Sequence, residues 1–136
     1  MKKLNFLLPA LALIFLFSSA SCQQAKKGTD EAVSTVQTEE FKKMVDEKEG
    51  VLVDVRTPQE YAEDHIPGAI NIDYNGENFK EEIGKLDKNK TYHVYCRSGK
   101  RSAASAEIMG EMGFSKVVNL GGGILGWKDK GFEVEK

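Results

Sequence analysis

Val51-Leu52-Val53-Asp54-Val55 is a short and nearly unbroken apolar run. A strand with one face in water alternates apolar and polar residues. A run that does not alternate fits a strand buried on both faces, as in a parallel sheet. Three further segments read as strands: Ala69-Ile70-Asn71-Ile72, Tyr92-His93-Val94-Tyr95 and Lys116-Val117-Val118-Asn119-Leu120. Helix signals lie between them. Thr38 caps a helix over residues 38–48, with Phe41, Met44 and Val45 on one face, and Gly50 ends it. Thr57 is an N-cap, Pro58 suits the first helical position, and Glu60 completes a capping box, so a short helix ends near Asp64. His65-Ile66-Pro67-Gly68 is a turn. Residues 79–86 and 102–112 are the next two helices, the second closed by Gly113, and residues 124–130 form a terminal helical turn. Strands alternating with helices imply an α/β fold, a parallel sheet with helices on both faces. Ligand crevices in such sheets lie beyond the carboxyl ends of the strands. Asp54-Val55-Arg56, Cys96 and Gly121-Gly122-Gly123 each follow a strand, so they are expected to meet on one edge.

Cys96-Arg97-Ser98-Gly99-Lys100-Arg101-Ser102 joins a strand end to a helix start. A cysteine placed there faces backbone N–H groups, the positive end of a helix and three cations, Arg97, Lys100 and Arg101. Each of these favours a thiolate over a thiol. A free cysteine, with a pKa of about 8.5, is mostly protonated at neutral pH. Surroundings of this kind bring it to roughly 7 or lower. Gly99 lets the backbone curl so that successive N–H groups point inward as an anion nest. Ser98 and Ser102 add hydroxyl donors. An inert buried cysteine is the competing view. Three cations and a glycine within the next five residues weigh against it.

The start of the chain is a unit of its own. Lys2-Lys3 precede an apolar run over residues 4–17, broken by Asn5 and Pro9, and Ser18-Ser19-Ala20-Ser21 then leads to Cys22. A charged start, a short apolar core and a small-residue exit read as a secretory signal peptide over residues 1–21. The run is short of the roughly 20 residues that a membrane-spanning helix needs. Ser19-Ala20-Ser21-Cys22 resembles a bacterial lipobox, with Ser19 where leucine is usual, which makes Cys22 the lipidated N-terminus. Conventional cleavage after Ala20 is the alternative. Several acyl chains on one residue anchor stably where a single chain does not. Gln23, where some bacteria read aspartate as a sorting signal, directs such a lipoprotein to the outer membrane, with its domain in the periplasm. Residues 22–35 are polar without apolar period and are expected to be a flexible tether, leaving residues 36–136 as the domain. The 136-residue chain carries a formal charge of −2, or −4 once Lys2 and Lys3 leave with the first 21 residues. That balance argues against non-specific nucleic-acid binding and makes the basic cluster at 97–101 a local exception. Cys22 and Cys96 lie too far apart in role and sequence to suggest an internal disulfide. Two cysteines and two histidines provide no metal-ligand spacing.

Taken in order, several stretches resemble the rhodanese homology domain, a family of sulfurtransferases. They are Leu52-Val53-Asp54-Val55-Arg56, Pro58-Gln59-Glu60-Tyr61, His65-Ile66-Pro67-Gly68-Ala69-Ile70-Asn71, Val94-Tyr95-Cys96-Arg97-Ser98-Gly99-Lys100-Arg101-Ser102, and Leu120-Gly121-Gly122-Gly123 with Trp127. The resemblance implies a parallel five-stranded sheet flanked by helices on both faces, and no cofactor. It implies that Cys96 accepts a sulfane sulfur as a persulfide and passes it to a nucleophile. The donor is then a small anion such as thiosulfate, and the acceptor is cyanide, a thiol or a partner protein. Arg97, Ser98, Gly99, Lys100, Arg101 and Ser102 are expected to bind the donor, with Arg56 as a further contact. For Arg56 a structural ion pair with Asp54 is the heavier alternative. A non-catalytic persulfide carrier or docking module is the second functional class. Related cell-cycle phosphatases and arsenate reductases use a Cys-x5-Arg loop. Here Arg101 comes one position early and Ser102 holds the phosphatase place, which disfavours phosphoryl transfer. Gly121-Gly122-Gly123 lacks the GxGxxG spacing and is expected to allow close backbone approach to the site. Trp127 is expected in the core. His65 has no acid nearby in sequence and the chemistry asks for no base; His93, inside a strand, is a surface or packing residue. Neither the physiological partners nor the oligomeric state is set by the sequence.

Overall fold

The computed structural model describes residues 29–136. The expected signal peptide over residues 1–21 and the lipidation site Cys22 lie outside the described residues. Five strands form one sheet: β1 (Val33–Val36), β2 (Val51–Asp54), β3 (Ile70–Asn71), β4 (Thr91–Tyr95) and β5 (Lys116–Leu120), in the order β1-β5-β4-β2-β3. Every neighbouring pair is parallel. The helices are α1 (Thr29–Ala32), α2 (Thr38–Asp46), α3 (Pro58–Glu63), α4 (Phe79–Gly84), α5 (Lys100–Glu111) and α6 (Gly123–Asp129). This is the α/β architecture expected from the alternation of strands and helices.

Period-two geometry explains why the apolar runs are continuous. Val53, Val94, Cys96 and Val117 turn to one face, where Phe79 and Ile83 of α4 and Ala106 and Met109 of α5 cover them. Leu52, Tyr95, Val118 and Leu120 turn to the other face, against Phe41 of α2 and Ile124 and Trp127 of α6. Each central strand therefore feeds two cores and has no wet side. Trp127 is in the core as expected, and its indole N–H donates to the Glu133 carbonyl at 2.8 Å. His93 is buried edge-on against Phe41 at 5.8 Å, so it is a packing residue, and burial pushes its pKa down. His65 stacks on Tyr61 at 3.8 Å and its backbone bridges to Glu135.

The tether expected over residues 22–35 is corrected at its end. Val33 to Val36 enter the sheet, in register with Val117 to Leu120 of β5. Reading the residues one by one yields four strands; this edge strand is the fifth that the family resemblance implies. It escapes notice because it is only four residues long, and its middle pair, Ser34 and Thr35, faces water. An edge strand of that length carries no apolar period. The domain boundary moves from residue 36 to about the start of α1. Helix α5 also starts earlier than expected, at Lys100, because Gly99 at φ 101° turns the loop straight into it.

A protein beginning at residue 37 leaves the outer edge of β5 unpaired. Its thermal midpoint is expected to fall by at least about 4 °C relative to one beginning at residue 29, the effect of ~1 kcal/mol in a domain of this size. Equal midpoints in calorimetry would show that β1 is dispensable.

Candidate active site

Strand β4 delivers Cys96 to the carboxyl edge of the sheet, on the face that α5 covers. The residue is 1% exposed. Its Sγ accepts the Gly99 N–H at 3.1 Å and the Ser102 hydroxyl at 3.3 Å. Burial pushes the Cys96 thiol up. Hydrogen bonds from the Ser102 hydroxyl and from the N–H groups of Ser102, Gly99 and Ser98 outweigh that, and the thiol lies below its ordinary value. The Ser102 hydroxyl has one proton and two acceptors, the sulfur and the Gly99 carbonyl at 3.2 Å. A charged sulfur is the stronger acceptor of the two.

The glycine loop after β5 shapes this cradle from behind. A Cβ on Gly99 would collide with the Gly121 carbonyl, and one on Gly123, which sits at φ 61°, with the Arg97 carbonyl. Ile124 N–H donates to the Cys96 carbonyl at 2.9 Å, and Leu125 N–H to the Arg97 carbonyl at 3.2 Å. The carbonyls of the cysteine loop are thus taken up by α6, while the Gly99 N–H faces the sulfur. Gly121-Gly122-Gly123 allows the close backbone approach expected of it.

The expected cations divide into two kinds. Arg97 and Lys100 are exposed, and no hydrogen bond or ion pair engages their side chains among the described residues. They remain available to an anion at the loop, and Ser98 is exposed beside them. Arg101 is a correction: its two NH groups bind Glu60 Oε2 at 2.8 Å and Oε1 at 2.9 Å, so the guanidinium is not free for a donor. Arg56 is a second correction. It is 4% exposed, binds both oxygens of Asp54 at 2.7–3.0 Å, and also engages Asp64. The structural ion pair wins because a buried guanidinium needs its charge and its donors matched locally. The anionic form of Cys96 is favoured chiefly by amides and a hydroxyl, although read from the sequence three cations stand beside them on equal terms.

Glu60 has a larger role than a cap. The capping box with Thr57 is present in both directions. The same carboxylate then holds Arg101, which lowers its pKa to about 2 through the Arg101 hydrogen bonds, against a smaller burial effect and with help from Thr57. Because the folded value is depressed, this group adds stability above its ordinary value of 4.5 and loses the contribution as pH falls toward 2. Asn71 was also missed as a supporting residue. Its side-chain amide donates to the carbonyls of Asp54 at 3.0 Å and Arg56 at 2.9 Å, which fixes the turn after β2. Its only sequence signal was its place in the 65–71 motif.

The rhodanese-like domain family model matches residues 37–130, beginning one residue past β1. Over 72 residues the chain is 44% identical to "Thiosulfate sulfurtransferase PspE" of Escherichia coli (strain K12), which covers 52% of this chain and 67% of that protein. It is 35% identical over 100 residues to "Putative sulfur carrier protein YrkF" of Bacillus subtilis (strain 168), covering 73% of this chain; it spans about half of that relative, 53%. Among solved structures, a rhodanese-like domain protein from Staphylococcus aureus matches with a TM-score of 0.64 at 33% identity, over 76% of this chain and 99% of the other.

Replacing Ser102 by alanine removes the largest hydrogen bond that favours the thiolate. The Cys96 titration, followed by the pH dependence of iodoacetamide alkylation, is expected to move upward, with several-fold slower alkylation at neutral pH. An unmoved profile would show that the backbone amides suffice.

Proposed function

This chain belongs to the rhodanese-like domain family, and we propose that it is a sulfurtransferase that moves a sulfane sulfur from a small anionic donor such as thiosulfate to cyanide or a thiol through a persulfide on Cys96. The observation that carries this reading is the Cys96 sulfur, buried yet held by the Gly99 N–H and the Ser102 hydroxyl. In the first step the Cys96 thiolate attacks the outer sulfur of thiosulfate. A sulfur–sulfur bond to Cys96 forms, the bond to the sulfonate sulfur breaks, and sulfite leaves with the electron pair. The enzyme then holds an anionic persulfide. In the second step the acceptor attacks the outer sulfur, and the Cys96 thiolate is regenerated as thiocyanate or a new persulfide departs. Neither step needs a general base, because Cys96 attacks as the thiolate and the acceptor attacks as cyanide ion or as the thiolate form of its thiol. Dipoles aimed at the sulfur before the reaction stabilise both anionic states without reorganising. Arg97 and Lys100 are the exposed cations of the loop that a dianionic donor and its sulfite product would meet.

A protein acceptor is the second reading. It is supported by the relative named as a sulfur carrier and by Leu125, 38% exposed and hydrogen-bonded through its backbone to Arg97. Phosphoryl transfer is disfavoured by the length of the loop and by the commitment of Arg101 to Glu60.

We further propose that the protein is exported, cleaved before Cys22, lipidated there and held in the bacterial envelope, with its domain in the periplasm. Lys2-Lys3, the apolar run over residues 4–17 and Ser19-Ala20-Ser21-Cys22 support this. The Cys22→Ala variant should leave the membrane fraction, and continued membrane association would rule lipidation out.

The central test is Cys96→Ser. It is expected to abolish thiocyanate production while the thermal midpoint stays within a few degrees of wild type. Intact mass after thiosulfate treatment should show one added sulfur atom on the wild type and none on the variant. A wild-type protein that never gains sulfur would remove the basis for this function.

A further inference from the structure

The geometry points to Glu60 as the residue that sets how tightly the cysteine loop holds oxyanions, a positioning residue that acts by withholding Arg101. Arg101 is the second residue of α5 and stands directly after the loop. Its fork of two N–H groups meets the two oxygens of Glu60 at 2.8 and 2.9 Å. That is the same bidentate geometry a guanidinium offers to phosphate, sulfite or any tetrahedral oxyanion. Glu60 therefore occupies the place of a ligand on Arg101.

The carboxylate is a fixed competitor. Thr57 holds it at the start of α3 with its backbone N–H at 3.0 Å and its hydroxyl at 3.1 Å. It cannot follow Arg101 toward the loop without breaking the capping box. The pair is about three-quarters buried, with side-chain exposures of 23% and 27%, so solvent screens it only in part. Arg97 and Lys100 carry no such partner among the described residues. Of the three loop cations, one is neutralised in place and two face outward. If the sulfur-transfer reading holds, on which this consequence rests, the site meets a doubly charged donor with moderate strength and does not retain the doubly charged sulfite that leaves. A free third cation would hold the product.

The test uses inorganic phosphate, an unreactive dianion, titrated calorimetrically into the mature protein with its thiol reduced. Glu60→Gln keeps the side chain's size and removes its charge. It is expected to bind phosphate about tenfold more tightly than wild type, the effect of one charge-assisted hydrogen bond regained by Arg101. The double variant Glu60→Gln with Arg101→Gln is expected to return to the wild-type affinity. A gain of binding cannot come from a damaged fold. Glu60→Ala, which retains no acceptor at all, carries the same expectation should the glutamine variant fold poorly. Unchanged or weaker phosphate binding in the single variants would overturn the proposal, and so would a gain that survives the loss of Arg101. Sulfur loading of Cys96 is scored separately by intact mass. Its failure would undo the sulfur-transfer reading and leave the phosphate result standing.

Discussion

A charged sulfur inside a folded domain persists only if hydrogen-bond donors replace the water it has lost. At Cys96 those donors are the Gly99 N–H and the Ser102 hydroxyl, and most of the surrounding architecture exists to aim them. Gly99 turns its N–H inward by taking φ 101°. That turn brings the loop so close to the Gly121 carbonyl that no side chain fits between them. Helix α6 closes the approach by donating Ile124 and Leu125 N–H groups to the loop's carbonyls. Ser102 reaches the sulfur because α5 begins at Lys100, and the Arg101–Glu60 pair ties that helix start to α3.

The division of labour between dipoles and charges follows from where each group sits. Amides and a hydroxyl in the buried cradle act at about 3 Å, where little water intervenes. Arg97 and Lys100 are in solvent, where ionic screening weakens their pull on a buried sulfur. The buried donors thus favour the anionic form of Cys96, while the two exposed cations face solvent.

Much of this was legible in the sequence because the responsible interactions are local. The unbroken run at Val51 to Asp54, the Thr57–Glu60 capping box and the strand–loop–helix unit around Cys96 are all set within a dozen residues. The glycine triplet was legible as a close approach, since three adjacent residues without side chains have few other uses after a buried strand. The Glu60–Arg101 pair was not. Its members are 41 residues apart, and Glu60 already had a sufficient local explanation. Arg56 stood between two readings, and only its burial decided for the ion pair. Strand β1 was hidden by its position: pairing with β5 alone, it has no second sheet neighbour to demand an apolar sequence.

Strand β1 also sets the end of the sheet at which the described chain comes in. All five strands run the same way, and Cys96 stands at their finishing end. The chain enters at Val33, the starting end of β1. A leash fastened upstream would therefore grip the pole of the molecule opposite the sulfur. The sulfur would then lie at the end of the sheet farther from the point of attachment, free of whatever the leash is fastened to.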